Sequence, residues 1–307
     1  EYRINVSGGN KNTRYSVSGG YLNQEGIVVN SGYERYTGRV NLTQNLAKTV
    51  TMTANLSASR TKNSGLATGS SDGLIMKLLR QPPTYSADSD NIMEGEGDEE
   101  GSVISNPYAQ VRDITNDRYR DELTARLQVE WKILPQLSLR GAGTYQDNHQ
   151  KAEVFYPADT EQGFKMHGRG IVSSTEVKKL SGEAFLTYSN TWKGNHKLRL
   201  LGGSTIETYR SNVLRVENQD FPELNLGVDG MGMGIAPQIP TTSIVDWNMV
   251  SFIARAEYNY KERYLLTASY RADGSSRFGA GNKWAGFPSV GLAWRINEEP
   301  FIKDLNV

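Results

Sequence analysis

From Arg118 to Gln146 the chain alternates apolar and polar residues through two long runs that flank one short turn. Leu123, Ala125, Leu127, Val129 and Trp131 fall on one side, and Thr124, Arg126, Gln128, Glu130 and Lys132 on the other. Successive side chains of a strand point to opposite faces, so this spacing makes one face apolar and the other rich in charge and hydrogen-bonding groups. After the turn at Leu134 and Pro135 the pattern returns, with Leu137, Leu139, Gly141, Gly143 and Tyr145 set against Ser138, Arg140, Thr144 and Gln146. The two runs read as one long hairpin separating oil from water.

The same period recurs along the whole chain and predicts eleven strands, near 2–9, 13–22, 33–44, 49–60, 118–132, 136–146, 178–191, 196–210, 249–260, 263–273 and 287–296. No charge falls on the apolar faces of the clearest runs, such as Val50 to Ala58, Phe252 to Tyr260 and Leu266 to Ala272. Most runs are longer than soluble strands usually are. The connections alternate as well. Tight turns at Asn10 to Asn12, Leu46 to Lys48, Leu134 to Pro135, Lys193 to Asn195 and Lys261 to Glu262 are interleaved with excursions at 23–32, 61–117, 147–177, 211–248 and 274–286. Outer-membrane barrels have short turns on the periplasmic side and long loops outside, which assigns a side to each connection.

Thirty-four basic residues balance 34 acidic ones, so no global field favours nucleic acid. A mean hydropathy of -0.55 without a long apolar run excludes a membrane-spanning helix, but barrel strands are only half apolar and escape that test. Cysteine is absent, which removes disulfides and Cys metal sites. No signal peptide opens the sequence, and an exported protein would then be a mature or truncated product. A soluble carbohydrate-binding sandwich or lipocalin-like barrel also alternates. Against it stand strands long enough to cross a bilayer obliquely and aromatic residues near strand ends, including Tyr36, Trp131, Tyr145, Tyr188, Tyr260, Tyr264 and Trp294.

Motifs for chemistry are weak. The acidic run Glu94, Glu96, Asp98, Glu99 and Glu100 lacks the ordered spacing of a calcium loop, and GVDGMGMG at 227–234 lacks the ending and context of a phosphate loop. His149, His167 and His196 do not have zinc spacing, and no nucleophile elbow is present. The expectation is a protein without enzymatic activity, metal or cofactor. On the polar faces, Arg39, Arg126, Glu130, Arg140, Arg255, Glu257, Arg271 and Arg295 either line a solute path or hydrate a lumen and pair among themselves. The loop aromatics Tyr85, Tyr108, Phe155, Tyr156, Phe164, Phe221 and Trp247 either stack on ligand or form small loop cores.

The last two hairpins carry a more specific signal. YNYKERYLLTASYRADGSSRFG, from Tyr258 to Gly279, followed by NKWAGFPSVGLAWRINEEPFIK, from Asn282 to Lys303, closely resembles the SusC/RagA family of TonB-dependent outer-membrane transporters of Bacteroidetes. The opening from Tyr2 to Tyr36 is similar to the first barrel strands of that family, and RQPPTY at Arg80 to Tyr85 and NPYAQV at Asn106 to Val111 look like its first large loop. DGSSRFG, comprising Asp273, Gly274, Ser275, Ser276, Arg277, Phe278 and Gly279, is the most distinctive element, with Gly274 expected to permit a bend and Asp273 or Arg277 to form a pair at the rim. The resemblance implies a 22-stranded barrel in the bacterial outer membrane with an N-terminal plug, a TonB-contacting segment and a SusD-like surface lipoprotein over its mouth. It also implies a glycan or peptide oligomer as substrate, and charged wall residues that dock the plug. The chain holds about half the strands and no recognisable plug. The expected fold is therefore all-β: an antiparallel up-and-down transmembrane barrel, partial, with 1–307 as its N-terminal half. A plug-less porin or adhesin is the remaining membrane alternative.

Overall fold

The computed structural model describes residues 1–66, 73–80, 92–94, 103–105 and 107–303. The strands are β1 (Tyr2–Gly9), β2 (Thr13–Glu25), β3 (Gly32–Ala47), β4 (Val50–Ser64), β5 (Ile92–Glu94), β6 (Val103–Ser105), β7 (Thr115–Leu134), β8 (Leu137–Tyr156), β9 (Arg169–Trp192), β10 (His196–Gln219), β11 (Ala236–Pro237), β12 (Thr241–Tyr260), β13 (Tyr264–Ser275) and β14 (Trp284–Trp294). Short helices α1 (Leu74–Arg80), α2 (Pro107–Asp113), α3 (Glu161–Phe164) and α4 (Pro300–Lys303) lie between or after them. Eleven strands pair antiparallel in chain order as β1-β2-β3-β4-β7-β8-β9-β10-β12-β13-β14. The two-residue β11 adds to β10, and β5 with β6 makes a separate small hairpin. β1 and β14 do not pair with each other, so the sheet is an open sector of a barrel.

All eleven expected strands are present, but on the loop side they extend further than the alternation predicts. β8 runs to Tyr156 instead of 146, β9 begins at Arg169 instead of 178, β10 continues to Gln219 instead of 210, and β12 begins at Thr241 instead of 249. The register explains the error. One face carries Leu123, Ala125, Leu127, Val129 and Trp131 of β7 beside Ala58, Leu56, Ala54, Met52 and Val50 of β4 and beside Asp147, Tyr145, Gly143, Gly141 and Leu139 of β8. Beyond Leu123 that same face turns charged, with Arg60 bound bidentately to Asp121 at 2.7 and 2.9 Å and Lys62 bridged to Asp117 at 3.0 Å. The strands thus continue past the hydrocarbon level into water, where neither face needs to be apolar and the period-two contrast disappears.

Leu127 is 50% exposed, whereas Arg126 and Gln128 on the other face are half-buried. The apolar side is therefore the uncovered one, and the soluble sandwich, which would bury it, is excluded. Aromatic rows bound this band at both ends. On the loop side Tyr2, Tyr21 and Tyr36 lie side by side across three strands, and the hydroxyls of Tyr21 and Tyr36 donate to Glu34 at 3.1 and 2.7 Å. On the turn side Trp192, His196, Tyr260, Tyr264 and Trp294 form one row across five strands. Rings of Tyr264 and Trp294 stack at 6.3 Å. Below them the buried Glu299 carboxylate accepts from the Tyr264 hydroxyl at 2.6 Å, the Trp294 indole at 3.0 Å and Arg263 at 3.1 Å.

Tight turns use left-handed backbone where the geometry requires it: Lys193 and Gly194 at φ 48 and 69, Lys261 and Glu262 at φ 54 and 59. Most of the buried apolar residues gather on the loop side. Phe155 and Phe221 meet edge to face at 5.2 Å, and the Asn218 amide donates to the carbonyls of Met231 and Gly234, both at 2.9 Å. The glycine-rich stretch Gly227–Met233 is a 3-10 turn held down by these contacts.

Two outcomes follow for the full-length protein. Leu127→Arg places a cation near the middle of the apolar band and should cost about 2–4 kcal/mol of folding stability in an outer-membrane folding assay, while Gln128→Arg, on the opposite face, should be mild. An epitope inserted after Gly232 should be stained on intact cells, whereas one inserted after Gly194 should be stained only once the outer membrane is permeabilised.

Candidate functional site

The candidate site is the inner wall, the face opposite the apolar band. Register places Arg39, Arg126, Glu130, Arg140, Arg255, Glu257 and Arg271 on this face. They do not converge on one point but are spread across five strands, with Arg126, Arg255, Glu257 and Arg271 in local ion pairs. Arg126 donates to Glu183 at 2.7 Å and to the Thr144 hydroxyl at 3.1 Å. Glu130 lies opposite Arg140, whose guanidinium sits 5.5 Å from the centre of the Phe185 ring. Glu257 takes Arg255 at 3.3 Å and Arg199 at 3.8 Å. Arg295 lies just past β14, and its backbone N–H donates to the Arg263 carbonyl.

The distinctive DGSSRFG segment takes a form different from the expected one. Asp273 forms a pair, with Arg271 at 2.6 Å, because these two residues of one strand share a face. Arg271 also donates to the fully buried Ser251 hydroxyl at 3.2 Å. Gly274 makes no bend: it lies within β13, and a side chain there would come within 2.8 Å of the Trp284 ring that covers it. Ser275 closes the strand, and the Ser276 hydroxyl accepts from the Asn248 amide at 2.8 Å. Arg277 lies 5.1 Å from the centre of the Trp247 ring, while Phe278 is exposed and Gly279 is open to solvent.

Of the expected loop aromatics, Trp247 is not in a loop. It belongs to β12, faces inward and stacks on Tyr209 at 5.2 Å with an interplanar angle of 14°. Tyr156 is likewise a strand residue, the last of β8, with Arg169 6.0 Å from its ring centre. Tyr108 lies exposed on α2, Phe155 is a buried residue of β8, and Phe221 is buried against it. Tyr85, Glu96, Asp98, Glu99 and Glu100 lie outside the described residues. Among the described residues no group of His, Asp and Glu could hold a metal ion. Tyr209 and Glu299 carry no sequence signal of their own, since the role of one depends on the strand register and that of the other on the chain turning back beneath its own last strand.

Well above the apolar band, Glu217 of β10 accepts two bonds from Arg169, at 2.7 and 3.1 Å, one from Arg215 at 2.8 Å and one from Gln219 at 3.0 Å. The Arg169 hydrogen bonds are the largest cause holding its carboxyl down at about 2, against the desolvation that opposes them.

A sheet of this kind, apolar outside, ion-paired inside, edged by two aromatic rows and joined by short turns on one side and long loops on the other, is the wall of an antiparallel up-and-down barrel of the bacterial outer membrane. Residues 68–306 match the family described as TonB dependent receptor-like, beta-barrel, and the chain belongs to that family. It is similar to TonB-dependent receptor P39 of Formosa agariphila, 30% identical over 99% of this chain and 29% of the relative, and to TonB-dependent receptor SusC of Bacteroides thetaiotaomicron, 27% identical over 100% and 32%. The chain thus spans about a third of the length of the curated relatives it matches. Among solved structures it resembles the RagAB peptide transporter, with a TM-score of 0.80 at 21% identity over 98% of this chain and 34% of that one.

The depressed carboxyl sets an acid response. Its folded value lies below the unfolded one of about 4.3, so the contribution is present above that value and is lost as pH falls through about 2. Amide hydrogen exchange at 210–219 should stay slow down to about pH 3 and accelerate towards pH 2, and Arg169→Met should move that onset upward by about one to two pH units.

Proposed function

We propose that 1–307 forms the N-terminal half of a 22-stranded transporter that imports oligomeric nutrient, glycan or peptide, across the outer membrane. In this reading a plug fills the lumen, TonB remodels it, and a SusD-like lipoprotein closes over the long loops. The observation that carries it is the inner wall: ion-paired from the turn side to far above the bilayer, it belongs to a chain that aligns over its full length with a SusC receptor. The unpaired edges at β1 and β14 support a larger closed barrel, because strands in hydrocarbon need partners on both sides. The wall charges Arg126, Glu130, Arg140, Arg255, Glu257 and Arg271 serve plug docking, since together they offer both donors and acceptors to a polar surface. The stacked Trp247 and Tyr209 offer a flat face to a sugar ring or peptide group near the mouth.

The test is energy coupling. Cells relying on the full-length protein for uptake of its nutrient should lose that uptake when TonB is deleted or the proton gradient is collapsed. Uptake that persists without TonB would favour the plug-less porin instead.

A further inference from the structure

The inner wall is unevenly charged. In the first 64 residues the carboxylates are Glu1, Glu25 and Glu34. Glu1 is bridged to Arg3 at 2.9 Å, and the register turns Glu25 and Glu34 to the outer face. The inward sides of β2, β3 and β4 therefore carry Arg14, Arg35 and Arg39 with no acid among them. Next to them, β7 adds Arg118 and Arg120, with Arg120 on the same row as Arg35 across a single intervening strand. Glu122 is the nearby carboxylate, already bridged to Arg120 at 2.6 Å and bonded by the Ser59 hydroxyl at 3.3 Å. Arg35, Arg39 and Arg118 have no ion-pair partner among the described residues, whereas Arg126, Arg169, Arg199 and Arg271 on the same wall each have one.

Arg35, Arg39, Arg118 and Arg120 border a cavity of about 480 Å³ whose lining also holds Thr37, Thr61, Asn63 and Gln150, the rings of Tyr33 and Tyr119, and one carboxylate, Glu122, already bridged to Arg120. Its level matters. Arg35, Arg118 and Arg120 stand where the outer face is already charged, at Glu34, Lys62 and Asp117, so this upper part of the patch lies above the hydrocarbon on the long-loop side, with Arg39 below it. A solute arriving from outside meets it before the ion-paired wall below. Rows of guanidiniums two strands apart, about 9–10 Å at the backbone, repel one another until an anion sits between them, and their planar forks match carboxylate and sulfate oxygens.

We propose that this patch binds the oxyanion groups, carboxylate or sulfate ester, of an acidic oligosaccharide. The hydroxyl and amide lining meets the sugar hydroxyls, and the arginines select charge and draw the solute in from dilute solution. This assignment rests on the importer reading and adds to it the charge class of the cargo.

The experiment is calorimetric titration of the purified full-length transporter, in which TonB plays no part. Trigalacturonate and sulfated maltotriose supply the two oxyanions, maltotriose is the neutral control and hexaglutamate the peptide control. At least one acidic sugar should bind, which of them binds tighter naming the oxyanion, and that binding should weaken about tenfold in Arg35→Gln/Arg118→Gln and with added salt, with maltotriose unaffected. Arg35→Lys/Arg118→Lys keeps the charge and should restore part of the loss, which separates recognition from a folding defect. Failure of both acidic sugars to bind, equal binding by the Gln variant, or tighter binding of hexaglutamate would overturn the proposal. An unchanged affinity together with a raised ion conductance of the Gln variant in planar bilayers would assign the patch to the plug. TonB-dependent uptake without acidic-sugar binding sinks this inference alone; acidic-sugar binding without TonB-dependent uptake sinks the importer reading alone.

Discussion

Inside hydrocarbon no water is available to a backbone N–H or C=O, and each one must find its partner on a neighbouring strand. That requirement orders the rest of the molecule. It fixes the pairing of eleven strands in chain order, since an up-and-down arrangement is the simplest way to give every strand two neighbours while crossing the membrane repeatedly. Once pairing is fixed, register follows from the side chains. A slip of one residue would turn Leu127 to the lumen and Arg126 to lipid. The aromatic rows then set the height of the sheet, with Tyr21 and Tyr36 tied to Glu34 at one interface and Tyr264 and Trp294 tied to Glu299 at the other.

The inner wall solves a different problem, that of keeping charge in a confined space. Arg126 with Glu183, Arg271 with Asp273 and Glu257 between Arg199 and Arg255 neutralise one another locally. Partly exposed pairs of this kind add little to stability, with a typical worth of roughly 0–1 kcal/mol. Their effect is to keep the wall polar without a net field, against which an unpaired arginine stands out.

Much of this architecture is legible in the sequence because the hydrocarbon imposes a period-two contrast from Leu123 to Trp131 and its counterparts. Where the strands leave the hydrocarbon, the contrast fades: Asp147, Lys178 and Arg210 occupy outward positions that below are filled by Tyr145, Leu180 and Thr208. The alternation alone therefore makes the strands too short on the loop side and leaves Trp247 and Tyr156 in loops. The charged wall residues were readable as a face, since parity alone decides it. Their partners were not, because Arg126 finds Glu183 two strands away and only the register joins them. The same holds for Arg35 and Arg120, which approach each other through β4.

β9 and β10 are 24 residues each, while an oblique crossing of the bilayer takes about ten. About half of each strand therefore stands in water on both sides, like a chimney above a roof. Bilayer thickness resists any change in the span of the embedded part, at some fraction of a kcal/mol per Å. The raised part carries no such restraint, because its outward face is wetted by His149, Lys151 and Glu176 and touches no acyl chains. A change of shape at that rim would neither stretch nor thin the membrane beneath it, so the mechanics of the mouth are uncoupled from the mechanics of the bilayer.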